Sequence, residues 1–246
     1  MPKIEIYVVS HKKYEKELPK EYKVLYVGAA VNKSIPENQI NCLYDNTGEN
    51  ISEKNPQYCE LTGLYWIWKH SDSEIVGLCH YRRFLSSMPF DKKLKHMLMS
   101  EDIEKRLNNH DIIVPYPLLQ IRSNKAGYCL RHNKEDYDLT RDIIMQYTPE
   151  YIPSFDKVMN SHNLSKCNMF IAPKHVIDKY CRWLFSIYDA MEQKVDITGY
   201  DTYQKRVFGF MSERLFNVWI LHNRLRVDHA YLSNIENSVL DDLLHR

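Results

Sequence analysis

The chain is predicted to fold as one α/β domain over residues 1–246, with a mainly parallel central sheet flanked by helices. Three observations lead there. Short β-branched runs alternate with longer stretches whose apolar residues recur at helical spacing, the pattern of strands joined by crossover helices. With 44% hydrophobic and 12% aromatic residues, a chain of 246 residues can bury a sizeable core. No linker, internal repeat or low-complexity segment divides it.

Residues 3–10 read as the first strand, and their β-branched content favours a central place in the sheet. Ser10, His11 and Lys12 follow at its carboxyl end. Residues 22–28 form the second strand, and residues 29–50 are polar and turn-rich, a long loop. Asn55 suits a helix cap and Pro56 the first turn of a helix over residues 57–70. In it Tyr58, Leu61, Leu64, Tyr65 and Trp68 share a face, with Glu60 among them. Residues 75–85 are a buried strand. A helix is expected over 101–109, a strand over 111–114 and a flexible loop over 120–130. A helix then carries Asp136 and Asp138 and runs to Tyr147. Another helix covers 149–160, a strand 166–172 and a helix 174–193. A long helix follows Gly199 and carries Arg206, Phe210, Glu213, Arg214 and Asn217. Residues 225–231 give a last strand. Ile235, Val239, Leu240, Leu243 and Leu244 suggest a short amphipathic helix docked on the domain.

Composition narrows the function. The formal net charge is +1 and no dense basic run occurs, which disfavours nucleic acid as a partner. Only 7 glycines are present, and no G-x-G-x-x-G or G-x-x-x-x-G-K-[ST] loop. The 6 cysteines are scattered, with no C-x-x-C pair, so a reducing cytosolic setting is the simpler reading. No signal-peptide pattern or membrane-spanning apolar stretch is visible.

The stretch Glu74-Ile-Val-Gly-Leu-Cys-His-Tyr-Arg-Arg-Phe-Leu85 carries the chemistry. A buried strand delivers His80, Tyr81, Arg82 and Arg83 at its carboxyl end, where open α/β sheets bind ligands. Paired guanidiniums suit a planar, multiply charged anion such as a diphosphate. The plainer alternative is a solvated strand exit with ordinary surface ion pairs.

This stretch, with the preceding Asn50-Ile-Ser-Glu-Lys-Asn-Pro-Gln-Tyr-Cys-Glu-Leu-Thr-Gly-Leu-Tyr-Trp-Ile-Trp-Lys69, resembles a bacterial family of capsule, exopolysaccharide and lipopolysaccharide loci. That family was long described as a domain of unknown function and is regarded as glycosyltransferase. Asn168-Met-Phe-Ile171 and Arg206-Val-Phe-Gly-Phe-Met-Ser-Glu-Arg-Leu-Phe-Asn-Val-Trp219 resemble its second half, and the 132–138 segment does so less distinctively. The resemblance implies a GT-A-like glycosyltransferase, with an inverting outcome expected. It would move a hexose, of galactose or galactofuranose type, from a nucleotide diphosphate sugar, UDP-linked by preference. The acceptor would be a polyprenyl-linked or oligosaccharide glycan, which allows peripheral association with the inner membrane. The competing class is a non-catalytic sugar-nucleotide or glycan-binding module.

Ordinary GT-A enzymes end the corresponding strand in Asp-x-Asp, which holds a divalent metal on the diphosphate. Here that position reads His80-Tyr81-Arg82. The expectation is therefore that no metal cofactor is required. Arg82 or Arg83, with His80, would stabilise the departing diphosphate by fixed charge, and Arg206 or Arg214 would add to it. Ser10, His11 and Glu60 are the other donor-site candidates. His132, Asp138 and Asn168 are candidates for donor sugar or acceptor. Glu213 is favoured as base by analogy of element order, with Asp201, Asp136 and Asp138 as alternatives. Glu213 paired structurally with Arg206 or Arg214 is the bland reading.

Overall fold

A computed structural model describes residues 2–236. The amphipathic helix expected over 235–244 falls almost wholly outside them. No helix among the described residues is long and apolar enough to cross a membrane.

The first strand, β1 (Ile4–Ser10), is buried along its whole length. Its side chains alternate between two cores, as the period of a strand requires. Tyr7 and Val9 face one with Leu61, Leu64, Leu184 and Leu215, while Ile6 and Val8 face the other with Phe84 and Ile103. Next come β2 (Tyr22–Tyr26) and β3 (Cys42–Tyr44), which pair in parallel in the order β3-β2-β1. The short β3 lies within the stretch expected to be all loop.

The expected helix over 57–70 is two helices, α1 (Asn55–Tyr58) and α2 (Leu61–His70). Cys59, at φ +54°, breaks them apart. The Asn55 side-chain amide holds the break by donating to the Cys59 carbonyl at 2.7 Å and to Thr62 Oγ1 at 2.9 Å. α2 lies close on the sheet because Gly63 has no Cβ; one there would come within 2.8 Å of Val9 and Val27. That docking fixes Glu60, the residue just before α2, above the carboxyl ends of β1 and β2.

The expected strand over 75–85 is also two elements. β4 (Ile75–His80) pairs in parallel with β1. The chain then reverses through Tyr81 and Arg82 into β5 (Arg83–Ser86), and His80 lies opposite Arg83. A two-residue connection of this kind joins only antiparallel strands.

After α3 (Ser100–Leu107), β6 (Ile112–Pro115) and β7 (Leu118–Leu119), the segment expected to be flexible loop holds α4 (Asn124–Arg131). Ser123 caps it, its Oγ accepting from the Ala126 amide. α5 (Lys134–Tyr147) and α6 (Ile152–Asn160) follow, then β8 (Asn163–Leu164), which pairs with β7. β9 (Phe170–Pro173) is shorter than expected. Cys167 and Asn168 have φ of +73° and +50°, so the chain turns there before the strand begins. α7 (Lys174–Glu192), α8 (Val207–His222) and β10 (Val227–Asn234) complete the described residues.

The eight-stranded sheet is mixed, which corrects the mainly parallel expectation. Its order is β3-β2-β1-β4-β5-β10-β6-β9. The first four strands run parallel, but β5 is antiparallel to both β4 and β10, and β9 to both β4 and β6. β4 thus forks: Ile75 to Leu78 pair with β9, and His80 pairs with β5. Reading 75–85 as one strand hid the reversal that sets β5 antiparallel to its neighbours.

Candidate active site

A cavity of about 500 Å³ opens where the carboxyl ends of β1 and β4 meet the break between α1 and α2 and the start of α8. Seven expected site residues line it: His11, Glu60, His80, Arg82, Arg83, Arg206 and Glu213. They come from four separate stretches of chain.

The reversal after β4 sets the cationic wall. Opposed residues of an antiparallel pair project to the same face, so His80 and Arg83 share one. The Arg83 guanidinium makes no hydrogen bond or ion pair among the described residues. Arg82 is engaged elsewhere: its Nη1 lies 3.3 Å from Glu236 Oε2, and Lys12 Nζ meets the other oxygen at 3.3 Å. Tyr81 packs edge-on against His11 at 5.1 Å.

His80 Nε2 lies 2.8 Å from the Cys167 carbonyl. Burial, and then the Arg83 charge, push its pKa down to about 4. The imidazole is therefore neutral at pH 7. Against a carbonyl its Nε2 must carry the proton, which leaves Nδ1 an acceptor. Expected as a partner in charge stabilisation, His80 brings no charge.

Arg206 reaches into the cavity from the 3₁₀ turn Gln204–Arg206. Its Nε donates to Cys59 Sγ at 3.0 Å and its guanidinium lies over Phe210 at 5.2 Å, with no carboxylate in contact. Lys205 lines the cavity beside it, also without an ion pair among the described residues. Arg206 stands at the N-cap of α8, which has no side-chain cap and no acid in its first turn. The positive end of that helix dipole faces the cavity uncompensated. Gly209 lets α8 approach: a Cβ there would sit 3.0 Å from Cys59 Sγ.

Two carboxylates face these cations. Glu60 Oε1 accepts from Asn168 Nδ2 at 2.6 Å. Burial pushes its pKa up to about 7, against the bond from Asn168. Glu213 is tied on both oxygens. Oε1 accepts from the Cys167 amide at 3.1 Å, and Oε2 lies 3.3 Å from Arg214 Nη1.

Four expected residues do not line the cavity, and Asn168 serves it from behind. Ser10 is buried, and its hydroxyl turns back to the Lys12 carbonyl at 2.6 Å. Arg214 is also buried, donating to the Phe210 carbonyl at 2.7 Å. His132 stacks on Phe210 at 4.0 Å, and burial pushes its pKa down to about 4. Asp138 is an exposed partner of Lys134 on α5. The chain's one Asp-x-Asp spacing is Asp136-Tyr137-Asp138, and it lies on this helix with Asp136 bonded to Tyr200. Asn168 is 2% exposed and bridges Glu60 to Ser212 Oγ.

Residues that motif reading missed include Asn55, Cys59, Thr202 and Lys205. Lys205 and Cys59 each adjoin an expected site residue, and that adjacency was the available signal. Among the described residues no three His, Cys, Asp or Glu side chains come together to hold a metal ion.

A structure of WbbM, described as a bifunctional glycosyltransferase in its apo form, is similar to this one. The TM-score is 0.85 with 30% sequence identity over 95% of this chain. The chain spans only 45% of the length of that protein. No curated protein matched the chain. The profile described as "Domain of unknown function (DUF4422)" matches residues 5–224, nearly the whole chain and every residue that lines the cavity. The chain therefore belongs to the DUF4422 family.

Proposed function

We propose that the chain is a GT-A-like glycosyltransferase and that this cavity holds its nucleotide diphosphate sugar. The observation that carries the reading is the set of free cations, Arg83, Arg206 and Lys205, that face one cavity at the strand ends together with the start of α8. Charges left without partners at a shared opening suit a diphosphate. Similarity to a bifunctional glycosyltransferase supports the reaction class.

In this reading Arg83 and Arg206 take up the negative charge that develops as the bond from sugar to diphosphate breaks. Arg206 is held by Cys59 and Phe210 before the reaction, so little reorganisation of that charge opposes the step. In this reading the chain's own cations supply the charge stabilisation. Neutral His80 offers an acceptor to a donor hydroxyl. The cavity carboxylates, Glu60 and Glu213, are the groups near enough to take the acceptor's proton. The favoured donor is a UDP-linked hexose of galactose or galactofuranose type, and the favoured acceptor is a growing bacterial surface glycan. An inverting outcome belongs to the same reading.

The test is release of UDP from a panel of UDP-glucose, UDP-galactose, UDP-galactofuranose and UDP-N-acetylglucosamine, with and without excess chelator. Release that persists in chelator is the expected result. Complete loss, restored by a divalent metal, overturns the metal-free step. Tight binding with no release, even with glycan acceptors present, favours a non-catalytic sugar-nucleotide module.

A further inference from the structure

The two carboxylates in the cavity are not equivalent. Glu213 has both oxygens committed, one to the Cys167 amide at 3.1 Å and one to the buried Arg214 at 3.3 Å. A carboxylate held by both oxygens is fixed in place by the fold, with a cation already on one of them. What Glu213 does hold is backbone. Cys167 and Asn168 occupy successive left-handed conformations, which non-glycine residues adopt at a cost. The Glu213 bond to the first of them pins the turn that presents Asn168.

Asn168 in turn holds Glu60. Its Nδ2 donates to Glu60 Oε1 and to Ser212 Oγ, each at 2.6 Å, and Ser212 is anchored to the Gly209 carbonyl at 2.7 Å. Glu60 is thus fixed by one oxygen. No other residue bonds its Oε2 among the described residues, and the residue lines the cavity. Among the described residues no cation lies within ion-pair distance of it, although the Arg206 charge acts on it from farther off. An oriented carboxylate with one oxygen that no other residue bonds is the arrangement of a proton acceptor.

We propose, resting on the transfer reading above, that Glu60 and not Glu213 is the base of the reaction. Glu60 Oε2 takes the proton of the attacking hydroxyl. The hydroxyl oxygen forms the new bond to the anomeric carbon. The bond from that carbon to the β-phosphate oxygen breaks, and its electron pair leaves with the diphosphate beside Arg83 and Arg206. Glu213 is a positioning residue that acts through the Cys167–Asn168 turn.

Burial that lifts the Glu60 pKa to about 7 suits this role, because the base is then both strong and largely ionised just above neutrality. The ionisable groups facing it are Cys59, Cys167, Tyr180 from α7, and Arg206 and Glu213 from the start and body of α8.

The experiment follows UDP release from the UDP-sugar panel by the wild type and by Glu60→Gln, Glu60→Ala and Glu213→Gln, with UDP affinity measured beside it. Glu60→Gln keeps the bond from Asn168 and is expected to lower kcat by about 10³-fold while UDP affinity stays within about threefold. The wild-type rate should rise with pH to a plateau above about 7, and this limb should vanish in Glu60→Gln. Sodium azide, a nucleophile with no proton to lose, should restore UDP release in Glu60→Ala and yield a glycosyl azide. Glu213→Gln should lose no more than about tenfold. Glu60→Gln within tenfold of wild type, or azide rescue of Glu213→Ala but not of Glu60→Ala, overturns the assignment and leaves the transfer reading standing. A wild-type chain that releases no UDP from any donor, with or without glycan acceptors, overturns the transfer reading and this proposal with it.

Discussion

At the amino end of β1, Glu5 is buried and fully answered. Lys23 meets its carboxylate, Lys3 lies 3.7 Å away, and the Tyr7 hydroxyl donates at 2.6 Å. Although burial is the largest influence, these partners together hold its pKa down to about 2. At the carboxyl end of the same sheet, Glu60 has one side-chain amide and no ion-pair partner among the described residues, and its pKa lies near 7. Arg83 and Arg206 stand across the cavity without carboxylates. One end of the sheet neutralises its charges within the fold, while the other leaves both signs unmatched around an opening. Paired charges contribute to holding the chain together. Unmatched ones cost stability and are retained where a ligand can complete them.

The contrast can be broken first at Arg83. Arg83→Ala should lower kcat/KM for the best donor by about 10²-fold and weaken UDP binding, with the melting temperature unchanged, since no protein partner is lost. A matching fall in melting temperature would place Arg83 with the structural charges instead. Glu5→Ala should do the reverse. It should cost about 2 kcal/mol in urea unfolding at pH 7, with activity per folded molecule unchanged. Its folded pKa is depressed, so its contribution is present above about 4.5 and lost as pH falls towards 2. The destabilising effect of the substitution should fade over that window.

Glu60→Gln sharpens the comparison from the other side. A carboxyl whose folded pKa is raised from 4.5 to about 7 binds more protons folded than unfolded between those values. Stability therefore falls as pH rises through the window. The glutamine variant, lacking this penalty, should be more stable than wild type at pH 8 by roughly 1–2 kcal/mol and equal to it at pH 4. Equal stability at both pH values would mean that Glu60 is not strained by its surroundings. The smallest effect is expected at Asp138, an exposed partner of Lys134 in an i,i+4 pair. Asp138→Asn should change stability by no more than about 0.5 kcal/mol and leave UDP release alone; a large loss of release would bring Asp138 back among the site residues.

Element type was widely legible. The buried β1, the amphipathic α7 and the long α8 follow from apolar periodicity, which reports local burial. The two reversals were not. Nothing in Val76 to Phe84 marks a turn, since Tyr81 and Arg82 carry no turn chemistry; β9 and β5 compete for the edge of β4, and that long-range pairing sets the bend. The break at Cys59 is likewise invisible to periodicity, because a side-chain bond from Asn55, four residues back, and the approach of Gly209 from α8 hold it.

Residue chemistry pointed to the cationic strand end and to Glu60, because charges next to apolar runs need a reason to be there, and element order singled out Glu213. Which of Arg82 and Arg83 stays free, and which carboxylate keeps an open oxygen, depends on partners far away in the chain. Glu236 lies 154 residues beyond Arg82, and Asn168 lies 108 residues beyond Glu60. A local pattern carries no information about such distant partners. The strand end with which the chemistry begins is a hairpin, and by turning there the chain leaves Arg83 in the cavity and ties Arg82 to Glu236.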